Sequence, residues 1–394
     1  MRRSVLLSLL LPALAGCAPD FEPASTLNTL RVLAVQKDKP YAKPGDTVTL
    51  RMLYTDASPD APRPVQVLWL GGFCENPLGD LYAGCFAGLE GGSTGASNAG
   101  ALGFPPGVVV GQGPTFQISL TKDIISRRPP PPNPKQPRYG ISFVFFAVCA
   151  GTIEANPNAL GPNPSEAFPL ACFGAGHERI GPEGFVAGYT EIFAYDQITN
   201  ENPIVTGFQV DGQDVKPECI GADCIPSEIT PPSSDGGVTP DGAAASLDGG
   251  SDAAPQTGSG GAGGSGGAPP VQTPDPCKSD SPACIDVCPP GRKDSDCEHT
   301  IELVVDPASE EQDGVAVAIE GGNVFEQQWI NHYTERGKIP TEVKLLGDAT
   351  QGFRDSHPTK LVAPHTAGPF HVWAVAHDNR GGANWVRVLM SARE

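Results

Sequence analysis

Basic residues are scarce in this sequence. Lys and Arg number 26 against 45 Asp and Glu, giving a formal net charge of −19. Nucleic-acid binding rests on clustered Lys and Arg, so nucleic acid is excluded as a partner. Long apolar runs are missing too: beyond the first twenty residues no stretch is long and apolar enough to enter a membrane. Helical periodicity is absent over any useful length, which leaves strands as the building element. Catalytic signatures are equally lacking. There is no His-Glu-x-x-His motif and no His-x-His pair among the seven histidines. Gly264-Ser265-Gly266 lies in low-complexity sequence and not on a strand-to-helix elbow, so it fails as a nucleophile. Glu310-Glu311 sits in an apparent loop with nothing to raise its pKa. No catalytic residue, cofactor or metal site is therefore expected, and the chain reads as a non-enzyme.

What the sequence does carry begins at its N-terminus. Arg2 and Arg3 form a short positive region, and Val5 to Leu14 is almost wholly apolar, as in a secretory signal. About ten apolar residues are roughly half of what a membrane-spanning helix needs. The following Leu14-Ala15-Gly16-Cys17 matches the lipobox of bacterial lipoprotein precursors. That resemblance implies a thioether-linked diacylglycerol on Cys17, cleavage just before it, and N-acylation of the new terminus. Several acyl chains suffice for stable anchoring where one is marginal. Ala18 follows instead of an aspartate, which by analogy with enteric sorting favours the outer membrane.

Cysteines number eleven. Reserving Cys17 for lipid leaves an even set for an oxidising compartment, where disulfides persist. Local spacing suggests Cys74 with Cys85, Cys149 with Cys172, and Cys219 with Cys224. Cys277, Cys284, Cys288 and Cys297 remain, with connectivity open. Their irregular spacing favours disulfides over zinc.

Along the chain, short apolar segments alternate with Gly- and Pro-rich punctuation, the pattern of an all-β sandwich. Val48, Leu50, Met52 and Tyr54 alternate with Thr47, Thr49, Arg51 and Leu53, which predicts a half-buried strand. Leu30 to Val35, Val65 to Leu70 and Thr115 to Leu120 read as further strands. Ile141 to Cys149 is apolar at both parities, as expected of a central strand covered on both faces. Tyr189 to Tyr195 closes this unit. A second unit opens at Ile204, Thr206, Phe208 and Val210, followed by the hairpin signal Asp211-Gly212. It resumes at Ile301 to Val305, at Val315, Val317 and Ile319, and ends with Phe370 to Ala376 and Trp385 to Met390. Between them the chain is rich in Gly, Ser, Pro and Asp and too poor in apolar residues to offset its ordering entropy.

The resulting division is a signal peptide at 1–16, a lipid-attached tether at 17–26 and a first β-sandwich at 27–200. The second sandwich is built from 201–216 plus 300–394, interrupted by a disordered insertion at 217–299 that carries a Cys-rich knot at 277–297. Alternatively, 204–215 closes the first sandwich and 300–394 folds alone. A faint repeat runs between the units. Phe143-Val144-Phe145-Phe146-Ala147-Val148 with Gly188-Tyr189-Thr190-Glu191-Ile192-Phe193 resembles Phe370-His371-Val372-Trp373-Ala374-Val375 with Ala383-Asn384-Trp385-Val386-Arg387-Val388. Each copy reads as the last strand pair of an immunoglobulin-like domain. Together with the lipobox, the opening Leu30-Arg31-Val32-Leu33-Ala34-Val35, Lys43-Pro44-Gly45-Asp46 and the Gly/Ser/Asp linker, the chain resembles predicted lipoproteins of the myxobacterial type. That resemblance implies an architecture and an address, and no activity.

Candidate ligand groups are few. His371 and His377 share a strand face, but six residues at about 3.3 Å each hold them roughly 20 Å apart, too far to chelate one ion. Asp378-Asn379-Arg380-Gly381-Gly382 is oxygen-rich but lacks the ligand ladder of an EF-hand; it reads as a tight turn. Trp373 is assigned to core packing. Trp385 shares a face with Arg387, opposite Val386, Val388 and Met390, and is expected to be exposed for contact with a partner. The reading is a membrane-anchored envelope lipoprotein with a binding or structural role. Its partners are the membrane and a protein or glycan of the envelope; an enzyme assembled from distant loops and a pure spacer are the alternatives.

Overall fold

A computed structural model describes residues 23–85, 107–156, 169–225, 275–278 and 281–394. The chain folds as two immunoglobulin-like β-sandwiches. In the first, β1 (Leu30–Lys37), β3 (Thr47–Asp56) and β6 (Thr115–Ser119) form one sheet in the order β1-β3-β6. The other sheet runs β2-β10-β7-β4-β5, from β2 (Tyr41–Ala42), β10 (Phe185–Ala194), β7 (Gly140–Cys149), β4 (Gln66–Gly71) and β5 (Val109–Gln112). Alternation decides which side chains meet between the sheets: Val48, Leu50 and Met52 of β3 pack with Trp69, Phe116, Val144 and Phe146. Strand β7 is buried at every position, because its second face is also covered. There Phe143, Phe145 and Cys149 lie under Ile153, Leu170 and Cys172, carried by the hairpin of β8 (Thr152–Ala155) and β9 (Leu170–Phe173).

The second sandwich opposes β12-β11-β15-β19 to a larger sheet. The first of these comprises β11 (Val205–Val210), β12 (Gln213–Val215), β15 (Glu298–Val305) and β19 (Thr359–Val362). The larger follows the order β13-β21-β20-β16-β17-β18 with β14 added on β21. Its members are β13 (Cys219–Ile220), β14 (Cys284–Asp286), β16 (Gln328–Thr334), β17 (Val343–Asp348), β18 (Gly352–Phe353), β20 (Gly368–Asp378) and β21 (Ala383–Arg393). Val205 to Val210 pairs with Ile301 to Val305, so this strand lies in the second sandwich. Both halves of the repeat pair as antiparallel neighbours, β7 with β10 and β20 with β21.

Two expectations change. Val315, Val317 and Ile319 lie not on a strand but on the helix α1 (Gly314–Glu320). Asp313 accepts bonds from the Val315 and Ala316 amides, and Gly321 closes the helix at φ 78°; N-capping and a left-handed C-terminal glycine override a short alternating pattern. The described ends of the insertion are also built into the fold. Ala283, Ile285 and Cys288 belong to the second core, and β13 and β14 cover the edge of β21. The four open cysteines pair as Cys277–Cys284 and Cys288–Cys297. Residues 226–274 lie outside the described residues.

The sandwiches meet face to face. The outer face of β1 and β3 brings Leu33, Ala34 and Leu53 against Trp373, Val375, Ala383 and Trp385, with Leu27 and Cys224 in the same cluster. Trp385 is fully buried there. The expected exposure of Trp385 is thus corrected: its face of the sheet points away from its own core, as the alternation requires, but the first sandwich covers it. Trp373 likewise packs in this seam and not inside a sandwich. The segment before β1 crosses the seam as well. The Leu27 amide donates to the Thr334 carbonyl at 2.9 Å and the Thr334 amide to the Ser25 carbonyl at 2.8 Å. Residues 25–27 are therefore part of the body, which shortens the tether expected at 17–26.

Removing a buried indole forfeits its transfer free energy and leaves a cavity. Trp385→Ala is expected to lower stability by about 3–5 kcal/mol, seen as a lower urea midpoint. A change below ~0.5 kcal/mol, as for a surface position, would contradict the seam.

Candidate functional site

The loop from Gly72 to Cys85 leaves β4 and folds across the outer face of the five-stranded sheet, closed by the Cys74–Cys85 disulfide. Polar bonds pin it at several points. The Ile141 amide donates to Asn76 Oδ1 at 3.0 Å, and Asn76 Nδ2 donates to the Ile124 carbonyl at 2.6 Å. Glu75 accepts from the Thr121 amide and hydroxyl and pairs with Arg127. Asp80 accepts from Arg128 and from the Tyr139 hydroxyl, each at 2.5 Å, and the Arg128 guanidinium lies 3.9 Å from the Tyr139 ring centroid. Burial alone would raise the Asp80 carboxyl, but those two bonds hold it below its ordinary value. Burial, and then the bond to Asp80, push the Tyr139 hydroxyl up to about 12.

Asn76 and Asp80 both adopt positive φ, 52° and 55°, a conformation with a steric cost for non-glycine residues. The pinned loop turns Leu78 outward at 90% exposure and Leu81 at 63%. Beside them Tyr82 stacks on Tyr189 at 4.8 Å, and Tyr189 rests against Phe143 and Phe145. Both tyrosines keep part of their surface in solvent. The result is a pinned apolar ledge on the outer face of the five-stranded sheet. It holds no nucleophile and no convergent acid–base pair; its chemistry is apolar and aromatic contact. Sequence reasoning passed it over. Its signal was local: a disulfide-closed loop containing Asn76, Gly79 and Asp80, residues that tolerate positive φ.

The site residues expected from sequence are scattered. Cys17 lies outside the described residues. Cys74, Cys85, Cys149, Cys172, Cys219 and Cys224 form the three expected disulfides. Trp385 is buried, and Arg387 is occupied: its Nε donates to Glu218 Oε2 at 2.9 Å. The same Glu218 lies 3.3 Å from His371 Nε2, and Glu335 lies 3.0 Å from His371 Nδ1. Trp385 is thus closed off from a partner by the first sandwich, and Arg387 is held by Glu218 with part of its side chain in solvent. Among the described residues no group of three or more His, Cys, Asp or Glu side chains is placed to hold a metal ion.

The turn 378–382 is more than a turn. Asp378 Oδ1 accepts from the Arg380 and Gly382 amides, both at 2.8 Å, and Gly381 takes φ 93°. The turn thereby delivers Arg380 into a buried cluster. Its guanidinium meets Glu326 at 2.9 and 2.5 Å and Glu311 at 2.5 Å. Lys37 lies buried nearby, pushed down to about 8 by desolvation against the pull of Asp378 and Glu191.

The histidines separate by environment. Burial pushes His332 and His377 down to about 4. Burial would also lower His371, but its bonds to Glu218 and Glu335 outweigh that and raise it to about 9. A raised pKa means that the folded state holds the proton more tightly. The stabilisation from His371 is then full below pH 6.5 and is lost as pH rises through 9. Neutral His332 and His377 act with opposite sign: their contribution is present above pH 6.5 and is lost as pH falls towards 4. Against a His371→Gln variant, the wild-type protein should lose about 1–2 kcal/mol across the higher window, a figure reduced for solvent screening. Thermal melts of the two proteins as a function of pH read this; parallel curves would show that His371 is not held protonated.

No family model matches the chain, and no curated protein matches it either. Among solved structures it is similar to the fibronectin(III)-like modules of Clostridium thermocellum CbhA at 8% identity and a TM-score of 0.17, covering 91% of this chain and 94% of that one. A Salmonella alpha-2-macroglobulin is matched at 11% identity and TM-score 0.20, over 94% of this chain and 17% of that one. The three N-terminal domains of the bacteriophage RB49 Hoc capsid protein are matched at 10% identity and TM-score 0.17, over 93% of this chain and all of that one. These likenesses are too loose to speak to function, and the sandwich assignment rests on the sheets themselves.

Proposed function

We propose that this chain is a lipid-anchored protein of the bacterial cell envelope with a non-catalytic binding role, and that the ledge of Leu78, Leu81, Tyr82 and Tyr189 is its contact surface for a protein partner. The anchor reading is supported by the match of residues 14–17 to a lipobox and by five disulfides, which fit an oxidising compartment. The outer membrane is the favoured site, from Ala18. The observation that carries the binding role is the pinned loop itself. Two leucines are held in water by a disulfide, two ion pairs and two positive-φ residues, an arrangement that costs stability in the free protein and limits the ordering entropy of association. A few residues, Tyr among the enriched types, carry most of the energy at protein interfaces, which puts Tyr82 and Tyr189 at the centre of the ledge.

The test is site-specific photocrosslinking in cells. A photoreactive residue at position 78 or 81 should give one discrete adduct, and one at the exposed Asp286 of the second sandwich should not. Leu78→Ser with Leu81→Ser should abolish the adduct while shifting the melting transition little, since exposed positions change stability by about 0.5 kcal/mol or less. Adducts of equal yield at positions 78 and 286 would refute a dedicated contact surface. Cys17→Ala should move the protein out of the membrane fraction; retention there would sink the lipid anchor.

A further inference from the structure

We infer that the cleft beside the point where the N-terminal segment joins the seam takes the phosphate of an anionic phospholipid headgroup, so that the body lies against the membrane that anchors it. This rests on the lipid-anchor reading above. From Cys17 to Pro23 are six Cα steps, which reach at most about 20 Å. The chain is then fixed at once: Ser25 is buried, its hydroxyl donates to the Ile339 carbonyl at 3.2 Å, and Thr26 bridges to Thr334. The anchor consequently meets the body beside the loop that follows β16. The segment 334–339 is brought within about that reach of the bilayer.

That segment carries Arg336 and Lys338 in a chain of net charge −19, and its one carboxylate, Glu335, is taken up by His371. The Thr334 hydroxyl donates to the Arg336 carbonyl at 2.6 Å. The Arg336 guanidinium donates to the carbonyls of Thr366, Ala367 and Pro369 and to the Thr366 hydroxyl. All these acceptors are neutral, and among the described residues no carboxylate pairs with it, so its charge is held in place without being cancelled. Lys338 is 54% exposed; its partner Asp294, 3.3 Å away, is equally exposed, and a surface pair of this kind binds weakly. His365 lies on the same rim, its Nδ1 2.8 Å from the Cys288 carbonyl. Arg336, Lys338 and His365 line a cleft of about 330 Å³ with Asp294, Pro364 and Thr366, roomy enough for a phosphodiester. An acidic body held this close to an anionic leaflet is repelled everywhere except where cations face it, and each such residue near the surface adds roughly 1 kcal/mol of attraction.

The full chain made without its acyl groups, as Cys17→Ser, is tested by co-sedimentation with vesicles of phosphatidylglycerol in phosphatidylcholine and with vesicles of phosphatidylcholine alone. Retention is expected on the anionic vesicles only, weakened on the order of tenfold by Arg336→Gln with Lys338→Gln. Lys338→Glu alone, at a solvent-exposed position, serves if the double variant melts early. Equal retention on both vesicles, no retention on either, or no effect of these variants overturns the inference. Displacement by inorganic phosphate also overturns it, in favour of a free-phosphate pocket. The mass of the N-terminal peptide from cell-made protein reads the anchor separately: an unmodified Cys17 defeats the anchor reading and leaves the vesicle result to be judged alone.

Discussion

The packing of Trp373 and Trp385 against Leu33 and Leu53 is the contact on which the rest of the molecule depends. The sheets that carry β1 with β3 and β20 with β21 each bury one face in their own core and part of the other in the seam. A sandwich standing alone would leave two indoles and several aliphatic side chains in water, at about 25 cal/mol for each Å² exposed. Beside the seam the second sandwich holds a buried ion pair. Arg380 and Glu326 are both buried, and such a pair tolerates no half measures, since removing either member strands the other charge. Apolar area supplies attraction without direction. Bonds across the seam, Gln36 donating to the Ala383 carbonyl and Asn202 to the Lys37 carbonyl, fix the register in which the two faces meet.

This seam explains most of what the sequence concealed. Alternation is a statement about the two faces of a strand, and it identified Val48, Leu50 and Met52 as one face correctly. It assigned the opposite parity to solvent, yet Leu53 on that parity is 2% exposed because another sandwich lies over it. Trp385 failed for the same reason. Local patterning reports that a side chain leaves its own core, and it is silent about what waits outside. The strand Gln328–Thr334 was invisible for a different reason. Its buried parity is Gln328, Ile330, His332 and Thr334, so hydropathy shows no period although burial does. Its polar side chains bond locally, as where Gln328 donates to the Ser309 carbonyl and Thr334 to the Arg336 carbonyl, and no sequence pattern announces such bonds.

Other parts were legible because the physics that sets them is local. Disulfides between near neighbours in sequence need little chain closure, and the three pairs suggested by spacing form. The doubly apolar run at 141–149 could only be a strand with two covered faces. The ledge at Leu78 to Tyr82 left only its turn residues as a signal: exposure of a leucine is a property of the finished surface, and the groups that pin Glu75 and Asp80 come from Thr121, Arg127, Arg128 and Tyr139, distant in the chain.

The insertion shows how a fold can accommodate a long interruption of low apolar content. Its two described ends clip onto one strand, β13 at Val386 and Arg387 and β14 at Ser391 to Arg393 of β21. Each end carries its own disulfide within a few residues. The excursion thus starts and finishes on a single edge, and the entropic cost of closing it grows only slowly with its length. The same clips hide the backbone of β21, which would otherwise be open to pairing with another chain. The sheet gains a closed edge from the residues that the interruption makes necessary.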